Sequence, residues 1–163
     1  MQCEANGKCR GAIRSVMNMI DNFRREHDVA LSVAAALLER VDGYDPELGA
    51  DAIVMQLKKL VAVLRVHLAK EDLSLYPRLM ASTDPMVART AQLYVDEMGG
   101  LAAEMEGFAR HWSCSASIAS SFEEFRADVH DLMLALAIRI ERENRYLYPL
   151  AEQIAAGDQR NAA

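Results

Sequence analysis

The sequence is poor in the residues that interrupt helices. Among its 163 residues there are 8 glycines and 4 prolines, while alanine, leucine, methionine, glutamate and arginine are abundant. Glycine and proline destabilise a helix interior more than any other residue does. Their scarcity favours helix over nearly the whole chain and predicts an all-α fold.

Cysteine is also scarce. The three cysteines, Cys3, Cys9 and Cys114, are an odd number, which cannot form a complete set of disulfides and which suits a reducing compartment. Cys3 and Cys9 are expected to precede the first helix, and Cys114 is expected in the third connection. In an antiparallel bundle those places lie at opposite ends, which argues against one metal site shared by the three thiols.

The chain lacks long apolar runs and clusters of positive charge. No stretch of about 18 apolar residues occurs without a charge, and the first residues carry no apolar run, so neither a membrane span nor a signal peptide is expected. The formal net charge is -6, with basic residues interleaved among acidic ones. We therefore expect no binding to nucleic acid or to anionic membranes, and a cytoplasmic location.

Length and turn signals together predict one domain. A chain of 163 residues can bury a continuous core without disulfides. We expect a single domain over residues 1–163, with its core at about 10–156. Capping and turn signals divide this core into four helices, which predicts an antiparallel, up-down-up-down four-helix bundle. The expected helices cover about residues 10–41, 46–77, 85–112 and 122–156.

Three local signals set the expected helix ends. Asp45 precedes Pro46, so Asp45 is expected to cap the second helix with proline at its first position. Pro77 is expected to kink or end the same helix. Ser121 and Glu124 have the spacing of a capping box and are expected to begin the fourth helix.

An eleven-residue phrase occurs twice in the chain. The first copy is His67–Pro77 and the second copy, 72 residues later, is Arg139–Pro149. Each copy has a glutamate followed by aspartate or asparagine, and then Leu-Tyr-Pro at the same spacing. The repeat extends further back, because Glu26-His27 precedes the first copy as Glu97-Met98 precedes the second. Two related halves are typical of a four-helix bundle with a pseudo-twofold axis.

The repeated phrase contains candidate metal ligands. His67 and Glu71 are four residues apart, so on a helix both project from one face and can bind one ion. Glu71 and Glu143 hold matching positions in the two copies, on helix faces that also carry apolar residues. A carboxylate inside a bundle is unfavourable unless a cation compensates it. The pattern therefore favours a metal site between the helices.

With these motifs the chain resembles the hemerythrin-like, or HHE cation-binding, family. The resemblance rests on Glu26-His27, on the first copy, and on the Glu-Asn-x-x-Leu-Tyr-Pro of the second copy, and it covers about residues 10–156. It implies a four-helix bundle with a non-heme di-iron centre. Family members are associated with oxygen binding, with iron or redox sensing, and with responses to nitric oxide or peroxide.

The resemblance assigns ligand positions, and this chain keeps only part of the set. The family positions that keep their residue type are His27, His67, Glu71 and Glu143. The two remaining histidine positions, which belong to the second iron, fall at Met98 and Arg139. We therefore expect the four retained residues to hold one metal ion. The Arg139 guanidinium is expected to take the second position and to supply positive charge to the two carboxylates.

Several properties of this site stay open at the level of sequence. The ligands suit Fe(II), Mn(II) or Zn(II), and the resemblance favours iron, which could take dioxygen or nitric oxide at an open coordination position. Met98 is either an extra soft ligand or a packing residue. Tyr76 and Tyr148 either donate hydrogen bonds near the site or pack the helix ends. His130 is expected on the opposite helix face from Arg139, at the surface or an interface.

The function expected from these features is sensing or stress response, without enzymatic activity. The storage of dioxygen uses two irons, which this pattern does not provide. One alternative is a metal-free regulatory bundle, in which the same polar residues form a relic network and the surface binds a protein partner. Another alternative is a mononuclear metalloenzyme acting on peroxide or nitric oxide. A protein partner or a homo-oligomer is compatible with each reading.

Overall fold

The structure is all-α, as the scarcity of glycine and proline predicts. The computed structural model describes the backbone of residues 2–160 and the side chains of residues 11–157, except residues 12, 98 and 99. Within that range there is no strand. The helices are α1 (Gln2–Asp42), α2 (Asp51–Met80), α3 (Pro85–His111), α4 (Ser115–Ser120), α5 (Phe122–Arg142) and α6 (Tyr148–Arg160), with a π-helical turn at Glu143–Leu147 between the last two.

The helices form the expected four-helix bundle. The segment α5, the π turn and α6 follow one another without a break and make up the fourth helix. α1 packs against α2 on one side and against α5 and α6 on the other, and α3 packs against α2 and α5. Because short connections join neighbouring helices, consecutive helices run antiparallel. None of the described helices is long and apolar enough to cross a membrane.

The core consists of two apolar clusters with a polar layer between them. One cluster is centred on side chains such as Leu37, Leu60 and Phe125, and the other on side chains such as Ile20 and Leu79. The polar side chains that face the core come from α1, α2, α5 and the π turn and lie between these clusters. Among the described residues, the buried polar or charged side chains are His27, His67, Glu71, Arg139 and Glu143. The fold therefore places every one of these groups at about the same height in the bundle.

The expected start of α2 is wrong by five residues. Asp45 does not cap the helix, because its carboxylate accepts the backbone N–H of Glu47 at 2.9 Å and closes a local turn. Gly49 then takes a left-handed backbone conformation, with φ at 71°. The helix begins at Asp51, after this reversal. The expected start of α1 is also wrong, since the helix begins at Gln2 and includes positions 3 and 9.

Two further expectations about helix ends need correction. Of the two alternatives for Pro77, that it ends α2 is wrong, because the helix continues to Met80 and carries the buried Leu79 into the core. Ser121 makes no side-chain capping hydrogen bond. The connection before it folds instead into the short helix α4, whose Ile118 is fully buried. Burial of one isoleucine thus orders a segment whose small polar composition resembles a loop.

Candidate metal centre

The bundle brings together the four residues that the repeat and the resemblance single out. α1 contributes His27, α2 contributes His67 and Glu71 one turn apart, and Glu143 begins the π turn after α5. Each of these side chains is at most 3% exposed. One donor atom from each residue lies within 4.8 Å of the donor atoms of the other three. A group with this spacing and this donor set could hold a metal ion.

The donor atoms of the two histidines face each other. His27 Nε2 lies 3.0 Å from His67 Nε2 and 3.1 Å from Glu143 Oε2. His67 Nε2 lies 3.7 Å from Glu71 Oε2. The two ring nitrogens and the two carboxylate oxygens therefore surround one small volume.

The opposite ring nitrogens are held by hydrogen-bond acceptors. His27 Nδ1 lies 3.1 Å from Asn144 Oδ1, and His67 Nδ1 lies 3.1 Å from Glu26 Oε2. An amide oxygen and a carboxylate only accept, so each Nδ1 carries the proton that it donates. In the neutral rings both Nε2 atoms consequently present lone pairs to the same volume. Two converging lone pairs are repulsive unless a metal ion lies between them or, without metal, His27 Nε2 carries a proton and donates it to Glu143 Oε2 at 3.1 Å.

Glu71 supplies a second sign that a cation fits here. Its Oε1 accepts the hydroxyl of Tyr148 at 2.8 Å. Its Oε2 is the buried side-chain oxygen that has no hydrogen-bond partner within the described part of the chain. An unpaired buried polar atom costs about 1–3 kcal/mol, and more when it is charged. The oxygen without a partner is the one that faces the imidazole nitrogens.

The electrostatics of the two carboxylates differ. Burial and the nearby charge of Glu143 raise the pKa of Glu71 to about 8. Burial also acts to raise the pKa of Glu143, but its hydrogen bond with His27 and the charge of Arg139 outweigh burial, and the net pKa is lowered. Burial and the charge of His27 lower the pKa of His67. Glu143 is thus ionised at neutral pH, while Glu71 requires one more positive charge, which a proton or a metal ion can provide.

Arg139 is the cation that compensates Glu143. Its Nε donates to Glu143 Oε1 at 2.6 Å, and its Nη2 donates to Tyr76 Oη at 3.0 Å and to the carbonyl of Tyr94 at 3.2 Å. Its Nη1 donates to Glu97 at 3.3 Å, and the guanidinium lies over the Tyr94 ring. These contacts hold the guanidinium on the side of Glu143 away from the histidines, where the sequence comparison of the two copies places it.

The contacts repeat between the two halves of the chain. Glu26 binds His67 in the first half, and its counterpart Glu97 binds Arg139 in the second half. The corresponding tyrosines of the two copies also face the same layer. The pseudo-twofold relation seen in the sequence thus holds in three dimensions, with a guanidinium in one half where the other half has an imidazole.

The remaining sequence candidates divide into three groups. Tyr148 donates a hydrogen bond to Glu71 Oε1, as one alternative expected, whereas the Tyr76 hydroxyl accepts from Arg139 Nη2. Both tyrosines are also packed in an apolar cluster, as the other alternative expected. His130 is 46% exposed beside Asp42, which confirms a surface position. Cys114 is an exposed free thiol. The side chains of Met98, Cys3 and Cys9 lie outside the described residues.

Sequence reasoning missed the acceptors behind the two imidazoles. Glu26 precedes His27 in α1, and Asn144 follows Glu143, so both were visible only as parts of the motifs. The signal that could have identified Glu26 is the repeat, since Glu97 occupies the equivalent place. The role of Asn144 depends on the π turn, for which we recognise no sequence signal.

A small cavity adjoins the candidate centre. It has a volume of about 30 Å³, and the His27, His67, Arg139 and Glu143 side chains lie along one side of it. Its other walls are apolar side chains, including Leu68, Leu101, Met105 and Leu136. This volume is enough for about one water molecule or one diatomic molecule.

Arg139→Met is expected to destabilise the protein strongly when metal has been removed with a chelator. The substitution leaves the buried Glu143 carboxylate without its cation, and such losses cost about 3–5 kcal/mol of unfolding free energy. Arg142→Met is the matched control, because Arg142 binds the same Glu97 but is 43% exposed, and we expect a loss below about 1 kcal/mol. Urea unfolding followed by circular dichroism measures both, and equal losses would contradict the role assigned to Arg139.

The stability of the chelator-treated protein is expected to fall as pH rises from about 5 towards 8. The folded pKa of Glu71 is about 8 against an ordinary value of 4.5. Between these values the folded state binds more protons than the unfolded state, so raising the pH favours unfolding. Glu71→Gln should remove this part of the pH dependence, whereas Glu141→Gln, at an exposed position, should keep it. Parallel pH profiles for wild type and Glu71→Gln would contradict the assignment.

Comparison with known proteins agrees with the geometry of the site. A family model, the hemerythrin HHE cation binding domain, matches residues 18–151. A search of curated proteins and a search of solved structures gave no significant match. The matched range covers the four bundle helices from α1 into α6 and contains all the residues of the polar layer. The chain therefore belongs to the hemerythrin HHE cation-binding domain family.

Proposed function

We propose that the chain binds one metal ion per molecule between His27 Nε2, His67 Nε2 and the facing oxygens of Glu71 and Glu143. The observation that carries this proposal is the convergence of two imidazole Nε2 atoms, 3.0 Å apart, beside a buried carboxylate oxygen that has no hydrogen-bond partner among the described residues. A proton on one of these groups cannot satisfy all of them, since His67 Nε2 and Glu71 Oε2 are 3.7 Å apart. A metal ion can accept electron pairs from all four.

The position of Arg139 supports one ion rather than two. In a carboxylate-bridged pair of ions, the second oxygen of each glutamate would face a second ion. Here Glu143 Oε1 accepts the Arg139 Nε–H, and Glu71 Oε1 accepts the Tyr148 hydroxyl. Both outward oxygens therefore already have donors from the chain, and the guanidinium supplies the charge that a second ion would bring.

Among metals that suit this donor set, we propose iron. Two imidazoles with carboxylates accept Fe(II), Mn(II) and Zn(II), and membership of a cation-binding family with di-iron members favours iron. Bound iron would supply one-electron redox chemistry and a coordination position for a small neutral ligand. The residues of the chain orient the imidazoles and line a mostly apolar cavity of about 30 Å³ beside them.

We infer that the role of the site is to sense redox state, dioxygen or nitric oxide, or to act in a stress response, rather than to catalyse turnover. The cavity of about 30 Å³ beside the site suits a molecule of the size of dioxygen or nitric oxide. Within the described part of the chain, the buried titratable groups are engaged with one another and none is placed as a separate nucleophile with its own base. A protein partner that binds in response to such a signal fits this role.

Elemental analysis after anaerobic reconstitution with Fe(II) tests the metal proposal. We expect about one iron per chain for the wild type and none for His67→Ala, because removing one of two imidazoles leaves too few ligands in a buried site. Bound metal should also raise the melting temperature of the wild type. His130→Ala is the control, since that histidine is exposed and pairs only with Asp42 among its described contacts; it should keep full metal content.

Other outcomes discriminate among the readings. No iron in the wild type would favour the metal-free bundle, in which hydrogen bonds among His27, Glu143 and Arg139 form a network without metal. Two irons per chain would contradict the role of Arg139. For the loaded protein we expect uptake of about one nitric oxide per iron in an absorbance titration, without turnover of peroxide. Sustained peroxide turnover would instead support the enzymatic alternative.

A further inference from the structure

The two imidazoles of the candidate centre are held by chemically different partners. His67 Nδ1 donates to the carboxylate of Glu26, while His27 Nδ1 donates to the neutral amide oxygen of Asn144. Glu26 is only partly buried and is itself paired with Lys70, whose side chain is 51% exposed. A short chain of polar groups therefore leads from the surface of the bundle to one ring nitrogen of His67, and the described side chains form no such chain behind His27.

We propose that Glu26, oriented by Lys70, is a positioning residue that holds His67 as the Nδ1–H tautomer and directs its Nε2 lone pair at the metal. This inference rests on the proposed metal site and assigns a task to residues outside the ligand set. A histidine has two nitrogens that can carry its single proton in the neutral ring, and only the unprotonated one can bind a metal. The acceptor at the opposite nitrogen decides which one is free.

The position of Glu26 in α1 explains how one turn of helix serves both imidazoles. Glu26 and His27 are adjacent in sequence, so they point to different neighbours. His27 faces the bundle interior, and Glu26 reaches α2, where it meets both His67 and Lys70.

A matching contact in the second half of the chain supports the positioning role of Glu26. Glu97 stands where the repeat places the counterpart of Glu26, and it binds Arg139, the residue that replaces the imidazole. A glutamate at this position thus holds the first residue of each copy, whichever residue that is. The Glu26–His67 contact therefore has a counterpart in the second half of the bundle and is not an isolated surface hydrogen bond.

Lys70 makes Glu26→Gln a selective probe of this inference. In the variant, the ammonium group of Lys70 favours the amide oxygen of the glutamine, which turns the amide N–H₂ towards His67 Nδ1. That group donates, so His67 Nδ1 must accept and its proton must move to Nε2. The nitrogen that faces the metal then loses its lone pair. In Glu26→Gln with Lys70→Met, the glutamine is free to turn its oxygen back to His67.

The first readout is the tautomer of His67 in chelator-treated protein, from long-range ¹H–¹⁵N correlation spectra, because pyrrole-type and pyridine-type nitrogens have distinct shifts. We expect Nδ1–H in the wild type, Nε2–H in Glu26→Gln, and recovery of Nδ1–H in the double variant. The second readout is affinity for Zn(II) and anaerobic Fe(II), which should fall about 10–100-fold in Glu26→Gln and recover in the double variant. Glu97→Gln is the matched control and should leave the His67 tautomer unchanged.

Two results would overturn the inference. One is an Nε2–H tautomer of His67 in the wild type, and the other is a Glu26→Gln variant with wild-type tautomer and wild-type affinity. Because the spectra are recorded without metal, they remain informative if the wild type binds no metal at all. That outcome would remove the proposed function while leaving the hydrogen-bond assignment measurable. A purely structural role for Glu26 would lower stability without the tautomer change or the recovery in the double variant.

Discussion

Two carboxylates buried side by side in an apolar bundle are the constraint on which the rest of this structure depends. Glu71 and Glu143 are at most 1% exposed and lie between the two apolar clusters of the core. Charges in such surroundings are strongly unfavourable unless cations or donors compensate them. Arg139 and His27 compensate Glu143. Glu71 accepts one hydroxyl, and its other oxygen has no hydrogen-bond partner among the described side chains. A metal ion would supply the positive charge that this carboxylate still needs.

The pseudo-twofold symmetry of the bundle explains how such a site can lose one metal position and keep the other. Each half has the same four parts. These are the first residue of the repeated phrase, a glutamate that binds this residue, a buried carboxylate and a tyrosine. In the second half the first position is Arg139, whose guanidinium delivers a fixed charge and several donors in place of an exchangeable ion. The negative charge of the two carboxylates is thus balanced by Arg139 on one side and by the proposed metal ion on the other. With the proposed iron bound, such a site would exchange single electrons, which suits detection of a small molecule better than its reversible storage.

Much of this arrangement could be predicted from sequence because it follows from periodicity and repetition. The apolar faces and the scarcity of glycine indicate the helices, and the doubled phrase indicates which helix faces meet. The resemblance to the hemerythrin-like family then selects His27, His67, Glu71 and Glu143 together as one ligand set. Local helix ends were less predictable. The Asp45 carboxylate closes a turn with Glu47 instead of capping α2. The buried side chain of Ile118 anchors the short helix α4 in a segment of serines and alanines. Such outcomes depend on tertiary packing, which local signals do not contain.

The partners behind the ligands were also beyond sequence reasoning, since they depend on side-chain reach across helices. Glu26 and Asn144 act through single hydrogen bonds to residues far away in the chain. Asn144 reaches His27 from the π turn, whereas the matching segment of the first copy lies within the α-helix α2. The two copies therefore differ in backbone although their sequences are alike, and we have no physical account of this difference from the local sequence.

The central claim is that one metal ion lies between the two imidazoles and that a guanidinium takes the place of a second ion. The most direct test is a crystal structure of the iron-reconstituted protein, with anomalous difference maps recorded at the iron absorption edge. The account predicts one peak, bonded to Nε2 of His27 and His67 and to the carboxylates of Glu71 and Glu143, with the Arg139 guanidinium still on Glu143. Two peaks flanking the carboxylates, or a peak elsewhere with none between the imidazoles, would contradict it.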